Sequence, residues 1–296
     1  MEKIRSAIAK ARAERDAAQA GIDTPTPPRT GPAFVMGRPA ELDVASPEVP
    51  QADAGFDTIA ANWAALPVTD LDADQMRRNR IVSFVRSTES TGVDMMRTRI
   101  LQQMRDNNWR RVAITSPTSA CGKSTIALNL AVSLSRQPDM RSLLLEMDLR
   151  RPSLARMLGI TPPLVDFSNV LRGKADFAKS AVCYGGNVAV GLNGTKVRDA
   201  SELLSSARIS NVLSEIEATY APDITIFDMP PMLAADDMMA FATQVDCVLI
   251  IAAAEKTTTK EIDLCEQELA RQTNVMGVVL NECRYIGPEA NYGYYG

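Results

Sequence analysis

From residue 111 onward, short apolar runs alternate with longer stretches whose apolar residues recur at helical spacing. The runs contain few polar residues, which is typical of parallel strands that are covered on both faces. They predict strands at residues 112–115, 143–147, 188–191, 224–227, 245–252 and 275–280. The stretches between them predict helices at residues 123–136, 153–158, 200–220, 235–243 and 259–272. This alternation predicts a doubly wound α/β domain, with a mainly parallel sheet and helices on both faces.

The chain before this alternation has a different composition. Residues 1–20 carry apolar side chains on one helical face and predict a short amphipathic helix, either solvated or docked on a partner or a membrane. Residues 21–55 are rich in proline and small polar residues, and they predict a disordered linker. We therefore assign the globular domain to residues 56–285 and a flexible tail to residues 286–296.

Residues 80–104 lead into the first predicted strand and have a composition that permits a helix. Apolar residues recur there near helical spacing, at Met95, Met96, Ile100 and Met104. This stripe predicts a helix that packs on the sheet, and the alternative interpretation is a contact between subunits.

The first predicted strand runs into a loop of small residues with the features of a phosphate-binding loop. Residues 112–125 read VAITSPTSACGKST, so that strand, loop and helix follow one another. A helix N-terminus offers unpaired backbone N–H groups and the positive end of the helix dipole, and both favour phosphate. Pro117 occupies the first glycine position of the usual pattern. The interpretation is a nucleotide site formed by Thr118, Ser119, Ala120, Cys121, Gly122, Lys123, Ser124 and Thr125.

The composition narrows the chemistry that such a site can perform. The 296 residues contain no histidine, which excludes His-based triads, His general bases and His-ligated metals. The five cysteines are scattered, as expected for reduced thiols in a cytosolic protein. A net charge of -4 argues against nucleic acid as the main partner. The longest apolar run, residues 247–254, is too short to span a membrane, so membrane association would need a partner.

Carboxylates follow two other predicted strands at the point where each strand ends. The segment LLLEMDLRRP contains Glu146 and Asp148, and the segment ITIFDMPP contains Asp228. The carboxyl ends of parallel strands meet at one edge of the sheet, where ligands bind in such folds. Mg²⁺ prefers hard oxygen ligands. These three carboxylates and the hydroxyl of Ser124 therefore predict a Mg²⁺ site.

These segments together resemble the CpsD/CapB-like bacterial tyrosine kinases of exopolysaccharide biosynthesis. EMDLRRP is similar to the Walker A′ motif of that family, and DMPP is similar to its Walker B motif. The family's phosphate loop commonly begins Ser-Pro, as Ser116 and Pro117 do here. The tail NYGYYG is similar to the tyrosine cluster on which these kinases phosphorylate themselves. The resemblance extends over residues 80–296.

The resemblance implies an ATP-dependent protein-tyrosine kinase that requires Mg²⁺. Lys123 would hold the ATP phosphates, and Asp148 would act as the base toward the tyrosine hydroxyl. Arg150 would stabilise charge on the transferred phosphate, and Asp228 would help to place the metal. Asn281, near the end of the last strand, matches a family position that lies beside the adenine.

The resemblance also implies targets and partners. The phosphorylation sites would be Tyr292, Tyr294 and Tyr295, together with Tyr285. A flexible tail could reach the active site of a neighbouring subunit, so a homo-oligomer is one implied partner. The other is an inner-membrane polysaccharide co-polymerase or chain-length regulator, which would hold a cytoplasmic kinase at the inner membrane.

Several positions depart from the family pattern. Glu146 stands where the family has an aspartate. Family members carry Glu-x-x-Arg-x-x-Arg on the helix before the phosphate loop for subunit packing, and this chain has Thr91, Asp94 and Arg97 there. Cys121 lies inside the phosphate loop, either as a small residue that fits or as a reactive thiol.

Two other functions remain as alternatives. An ATPase switch of the MinD/ParA type shares the fold, although its loop usually carries an early lysine where this chain has Thr118. A nucleotide-binding scaffold without catalysis would suit Glu146 and the altered helix motif. Dimerisation driven by ATP without phosphotyrosine would identify the switch, and tight ATP binding without turnover would identify the scaffold.

Overall fold

The structure, a computed structural model, describes residues 54–284. The predicted amphipathic helix and the linker up to residue 53 lie outside the described residues. The tail lies outside them as well, with Tyr285, Tyr292, Tyr294 and Tyr295. The first described helix begins at Ala54, so its first two residues fall within the region that the sequence assigned to the linker.

Seven strands of the described chain form one sheet. In chain order they are β1 (Arg111–Thr115), β2 (Ser142–Glu146), β3 (Ala181–Tyr184), β4 (Val188–Gly191), β5 (Ile224–Asp228), β6 (Cys247–Ala253) and β7 (Asn274–Asn281). Their order across the sheet is β3-β4-β2-β5-β1-β6-β7. Every neighbouring pair is parallel except β3 with β4. The mainly parallel sheet predicted from the apolar runs is confirmed.

Helices connect the strands and cover both faces of the sheet. Within residues 54–284 they are α1 (Ala54–Ala64), α2 (Ala73–Arg78), α3 (Thr91–Asp106), α4 (Lys123–Leu134), α5 (Leu154–Leu158), α6 (Phe167–Leu171), α7 (Ala200–Leu204), α8 (Arg208–Tyr220), α9 (Asp237–Phe241) and α10 (Thr259–Leu269). The single helix predicted over residues 200–220 is two helices, α7 and α8. None of the helices in this part of the chain is long and apolar enough to cross a membrane.

The antiparallel edge strand β3 was not predicted from the sequence. It has four residues, and its pairing with β4 matches Tyr184 to Val188 across a tight hairpin. Gly185 and Gly186 occupy this turn with φ values of 62° and 77°. Glycine adopts these left-handed values without strain, so the Gly-Gly pair was the available signal for a hairpin.

The sheet has an apolar core on each face, because successive strand residues point to opposite sides. One core contains Phe167, Phe227 and Phe241 and lies under α1 and α6 to α10. The other contains Ile114 and Leu128 and lies under α2 to α5. Since β1 and α4 are packed in this way, the loop between them has two rigid ends.

Helix α1 is anchored by a tryptophan at its C-terminal end. Trp63 is 5% exposed, and its indole Nε1 donates a 2.7 Å hydrogen bond to the carbonyl oxygen of Tyr220. The two rings meet edge to face, with centroids 6.0 Å apart. The next residue back, Asn62, donates to the carbonyl oxygen of Thr219 at 2.9 Å. These contacts attach α1 to the end of α8.

The apolar stripe of α3 is only partly used inside the domain. Ile100 and Met104 are buried against the sheet, which agrees with the predicted packing helix. Met95, in contrast, is 53% exposed. Asp94 accepts hydrogen bonds from Arg97 at 3.3 Å and from the hydroxyl of Ser133 at 2.6 Å. This altered helix motif therefore joins α3 to the end of α4 within one chain.

Candidate functional site

The predicted site residues come together because three neighbouring strands end at the same edge. Strand β5 lies between β2 and β1, and its last residue, Asp228, is in register with Glu146 on one side and Ile114 on the other. The phosphate loop leaves β1 at this edge, and Asp148 lies two residues beyond the end of β2. Residues far apart in the sequence thus form one cluster at the carboxyl ends of the strands.

The phosphate loop requires glycine directly before α4. Gly122 is the N-cap and has a φ of 84°, and Ala120 also has a positive φ, of 63°. A Cβ atom on residue 122 would lie 2.2 Å from Nδ2 of Asn281, so a larger residue would collide there. No side chain caps the first turn of α4. Its N–H groups therefore point toward the loop, where a phosphate can accept them.

The first half of the loop is fixed to the segment that follows β5. The amide of Met232 donates to the carbonyl oxygen of Ser116 at 2.8 Å. The amide of Leu233 donates to the carbonyl oxygen of Pro117 at 3.0 Å. Proline has no amide hydrogen to donate, and here its carbonyl supplies the contact. The two loops at this edge are thereby held against each other.

The ammonium of Lys123 lies between two carboxylates. Its Nζ is 2.8 Å from Oδ2 of Asp148 and 3.6 Å from Oδ1 of Asp228, and it donates to the hydroxyl of Ser124 at 3.2 Å. Burial alone would lower the pKa of Lys123, but the charges of Asp228 and Asp148 outweigh it and raise that pKa. The lysine is consequently protonated at neutral pH and can bind an anion.

Asp228 is completely buried and lacks a hydrogen-bond partner. Its exposed fraction is 0%, and within the described residues neither carboxylate oxygen makes a hydrogen bond. Burial raises the pKa of this group, while the nearby charge of Lys123 lowers it. Lys123 is its ion-pair partner at 3.6 Å, but a buried carboxylate whose oxygens accept no hydrogen bond still costs free energy. A cation held between Asp228, Ser124 and a phosphate group would offset that cost.

This donor set fits a hard divalent cation that keeps several waters. Within the described chain, no cluster of three or more His, Cys, Asp or Glu residues is arranged to hold a metal unaided. A cation bound through one or two carboxylates, a hydroxyl and phosphate oxygens needs no such cluster. Ser124, Asp148 and Asp228 are the residues here that could contribute to it.

The predicted metal contact of Glu146 is not supported by its geometry. Oε1 accepts hydrogen bonds from the amides of Ser153 at 2.5 Å and Leu154 at 2.7 Å. Oε2 accepts from the amide of Asn193 at 2.8 Å. Burial raises the pKa of Glu146 to about 7, although the three N–H groups stabilise its ionised form. Its longer side chain reaches backbone groups, and these contacts favour a structural role over the predicted metal contact.

Asn193 completes this arrangement and was not predicted from the sequence. Its Nδ2 donates to the carbonyl oxygen of Glu146 at 3.1 Å, and its Oδ1 accepts from the amide of Ser168 at 2.8 Å. The available signal was the Asn-Gly pair that follows β4, which marks a turn where an Asn side chain can bond to nearby backbone.

Arg150 lies near the cluster but is held by a second carboxylate. Its Nε and a terminal nitrogen donate to the two oxygens of Asp237 at 2.8 and 2.9 Å. These hydrogen bonds raise the pKa of Arg150. Asp237, at the start of α9, is fully buried. The guanidinium is therefore positioned by α9 and keeps part of its donor edge free, since its side chain is 40% exposed.

Cys121 and Asn281 both take part in holding the phosphate loop. Cys121 is buried, and its Sγ donates to the carbonyl oxygen of Thr118 at 3.3 Å. Asn281, at the end of β7, donates from Nδ2 to the carbonyl oxygen of Cys121 at 2.9 Å. The geometry of Cys121 favours the interpretation as a small residue that fits the loop.

The sheet order and the loop define a nucleotide-binding P-loop NTPase. The chain belongs to the ParA family, because the family model described as "ParA: NUBPL iron-transfer P-loop NTPase" matches residues 108–295.

Curated relatives narrow the likeness to tyrosine-protein kinases. The chain is 29% identical over 231 residues to tyrosine-protein kinase YwqD of Bacillus subtilis, which covers 75% of this chain and 93% of the relative. It is 28% identical over 214 residues to the putative tyrosine-protein kinase CapB of Staphylococcus aureus, at 71% and 92% coverage. The kinase domain of the Escherichia coli tyrosine kinase ETK superposes with a TM-score of 0.59 at 27% identity, covering 70% and 81%.

Proposed function

We propose that this chain is an ATP-dependent protein-tyrosine kinase that phosphorylates tyrosines of its own C-terminal tail. The observation that carries the proposal is the position of Lys123 between Asp148 and Asp228, beside a loop that presents N–H groups to phosphate. The similarity to YwqD, CapB and the ETK kinase domain supports the same activity. The tail contains Tyr285, Tyr292, Tyr294 and Tyr295.

In this proposal the loop residues 118–125 hold the phosphates of ATP through backbone N–H groups and Lys123. Ser124, Asp148 and Asp228 hold Mg²⁺, directly or through water, and Asn281 lies on the side of the adenine. Mg²⁺, when bound, neutralises charge on the phosphate oxygens. The oxygens of Asp228 accept no hydrogen bond in the described chain, and this supports the assignment, because a cation would give them a close partner.

Phosphate binding exchanges the partners of Lys123. The ammonium leaves Asp148 for phosphate oxygens, and the carboxylate of Asp148 becomes free to accept a proton. A free tyrosine hydroxyl has a pKa of about 10, so it needs such a base. In the transfer, a bond forms between the tyrosine oxygen and the γ-phosphorus, the bond from that phosphorus to ADP breaks, and the phenolic proton goes to Asp148. In this proposal the free donors of Arg150 would stabilise the charge that develops on the transferred phosphate.

Incubation of the purified full chain with ATP and Mg²⁺ tests this proposal. Mass spectrometry should find phosphotyrosine in residues 285–296 and none at Tyr220, which is buried. Lys123→Met should lower the rate roughly 100-fold or more, because the main phosphate ligand is lost. Lys179→Met is the matched control and should leave the rate unchanged, since that side chain is 64% exposed and pairs with Asp176.

A chain that forms no tail phosphotyrosine would contradict the kinase. ATP hydrolysis with dimerisation and no phosphotyrosine would instead support a switch of the MinD/ParA type, which the ParA family model favours. Thr118, at the position of the early lysine of that class, counts against it. Tight ATP binding with no turnover at all would support a scaffold.

We infer further that the kinase regulates polymerisation or export of an exopolysaccharide at the cytoplasmic side of the inner membrane. The inference is supported by the resemblance of the Walker A′, Walker B and tail motifs to the CpsD/CapB-like kinases. The partner would be a membrane co-polymerase or chain-length regulator. Vesicles that contain such a partner should raise tail phosphorylation of the added chain, and unchanged phosphorylation would contradict the inference.

A further inference from the structure

An apolar groove lies between α3 and β7, at the edge of the sheet nearest the phosphate loop. Its volume is 890 Å³. Its walls include Met95, Met96, Ile100, Met276, Val278 and Leu280. Three methionines give these walls soft, adaptable surfaces.

The groove is open because β7 is the last strand of the described sheet on that side. Val278 and Leu280 are 43% and 59% exposed, and Met95 across from them is 53% exposed. Large apolar side chains that gather along an unpaired strand edge indicate a binding surface.

We propose that this groove is the docking site of the chain's own unphosphorylated tyrosine tail, residues 285–296. The chain leaves β7 at Asn281, which itself lines the groove, and the tail begins four residues further along the chain. Twelve residues can extend about 40 Å. Helix α3 has 16 residues and is about 24 Å long, so the tail can run the whole length of the groove.

The side chains of the tail match the groove. The segment YIGPEANYGYYG offers four tyrosines and one isoleucine, which are apolar bodies with few charges. Methionine sulfur makes favourable contacts with aromatic rings. Tyrosine buries its ring while its hydroxyl stays at a polar rim. Polar side chains along the groove can accept hydrogen bonds from those hydroxyls: Glu89, Gln102, Gln103 and Asp106. Since the tail is tethered, docking needs no second molecule.

Phosphorylation should release the tail, and this part rests on the proposed kinase function. Each phosphotyrosine would bring a charge of about −1.5 to −2 into an apolar groove. The charged residues that line the groove are Glu89, Asp106 and Arg99, so their sum is −1. Burial and repulsion both oppose a phosphorylated tail there. The groove thus distinguishes the two states of the tail.

Photo-crosslinking in the full chain tests the docking. Benzoylphenylalanine replaces Met95, the chain is treated with phosphatase, and equal amounts of ¹⁵N-labelled and unlabelled chain are mixed before irradiation. Cross-links from position 95 to residues 285–296 of the same chain are expected. The matched control places the probe at Leu164, which is fully exposed outside the groove. Position 164 should give roughly fivefold fewer tail cross-links, and Val278→Glu should lower those from position 95 by a similar factor.

The outcomes separate docking from kinase activity. Mixed-isotope cross-links would overturn the proposal by showing a second copy in the groove, as would equal yields from positions 95 and 164.

Addition of ATP and Mg²⁺ should lower the yield from position 95 roughly fivefold once the tail is phosphorylated. An unchanged yield from a phosphorylated tail would overturn the release step. A phosphorylated tail without position-specific cross-links would overturn docking alone. If no phosphotyrosine forms after addition of ATP and Mg²⁺ but the position-specific cross-links are present, docking stands and the proposed kinase function is contradicted.

Discussion

Single residues at the strand ends divide into those that change partners and those that do not. Lys123 lies between the carboxylates of Asp148 and Asp228. The two carboxylate oxygens of Asp228 accept no hydrogen bond in the described chain. Glu146, in register with Asp228 on the neighbouring strand β2, accepts hydrogen bonds from three backbone N–H groups. Asp228 and Glu146 are both fully buried carboxylates, yet they differ in role: Asp228 is available to a ligand, and Glu146 is occupied by backbone groups.

The structural role of Glu146 gives a stability prediction. Glu146→Ala should lower the free energy of unfolding by about 3 kcal/mol, because it leaves three buried N–H groups without an acceptor. Glu146→Gln should cost less, since its amide oxygen still accepts two of those bonds. Denaturant unfolding of the full chain measures both. Glu215→Ala, on the exposed face of α8, is the control and should change the free energy little. A Glu146→Ala chain as stable as the control would show that these bonds contribute nothing.

At this scale the sequence predicted which residues gather but not how each one bonds. Asp148 and Asp228 follow strands, so a pattern of apolar runs suffices to place them at one edge. The direction of the Glu146 side chain depends on Asn193 and on the start of α5, which lie up to 47 positions away. Such contacts are set by tertiary packing, and no local pattern reports them.

Among the elements, α1 is anchored to the domain by Trp63. Trp63 joins it to Tyr220 through one hydrogen bond and one ring contact. Trp63→Ala should lower the free energy of unfolding by about 3–5 kcal/mol, and Trp63→Phe by less, since a smaller aromatic ring remains although the hydrogen bond is lost. Denaturant titration followed by circular dichroism measures this. Trp109→Phe, at a half-buried position, is the matched control. Equal effects of Trp63→Phe and Trp109→Phe would contradict this anchoring of α1.

The elements themselves were predicted where the apolar runs are long. The six predicted strands are all present, with ends shifted by at most two residues. The helix predicted over residues 200–220 is divided near Ser205. The sequence did not reveal this break, because the apolar residues keep their helical spacing across it. Strand β3 is too short for a period, and its Gly185–Gly186 turn carried the signal instead.

For the whole molecule, the two cores determine which thiols solvent can reach. Cys121, Cys183, Cys247 and Cys265 are buried, and Cys283 is exposed. Burial raises the pKa of Cys247 to about 12 and that of Cys265 to about 11. At pH 8 the thiolate fraction of Cys247 is then only ~10⁻⁴.

Thiol labelling of the folded chain at pH 8 should therefore modify Cys283 first. Mass spectrometry after brief iodoacetamide treatment should show one modified cysteine, and all five should react in guanidinium chloride. Cys283→Ser should remove the fast reaction and leave the slow ones unchanged. Fast modification of Cys121 would instead show that the phosphate loop opens readily to solvent.

Two hydrogen bonds order the first half of the phosphate loop before any nucleotide binds. They join Ser116 to Met232 and Pro117 to Leu233. Because these bonds form as the chain folds, the loop loses its backbone entropy during folding. That entropy loss therefore does not oppose nucleotide binding. Slow closure of the loop should then not limit association of the nucleotide. Pro117, which stands where the usual pattern has glycine, thus belongs to a binding surface whose shape is complete before its ligand arrives.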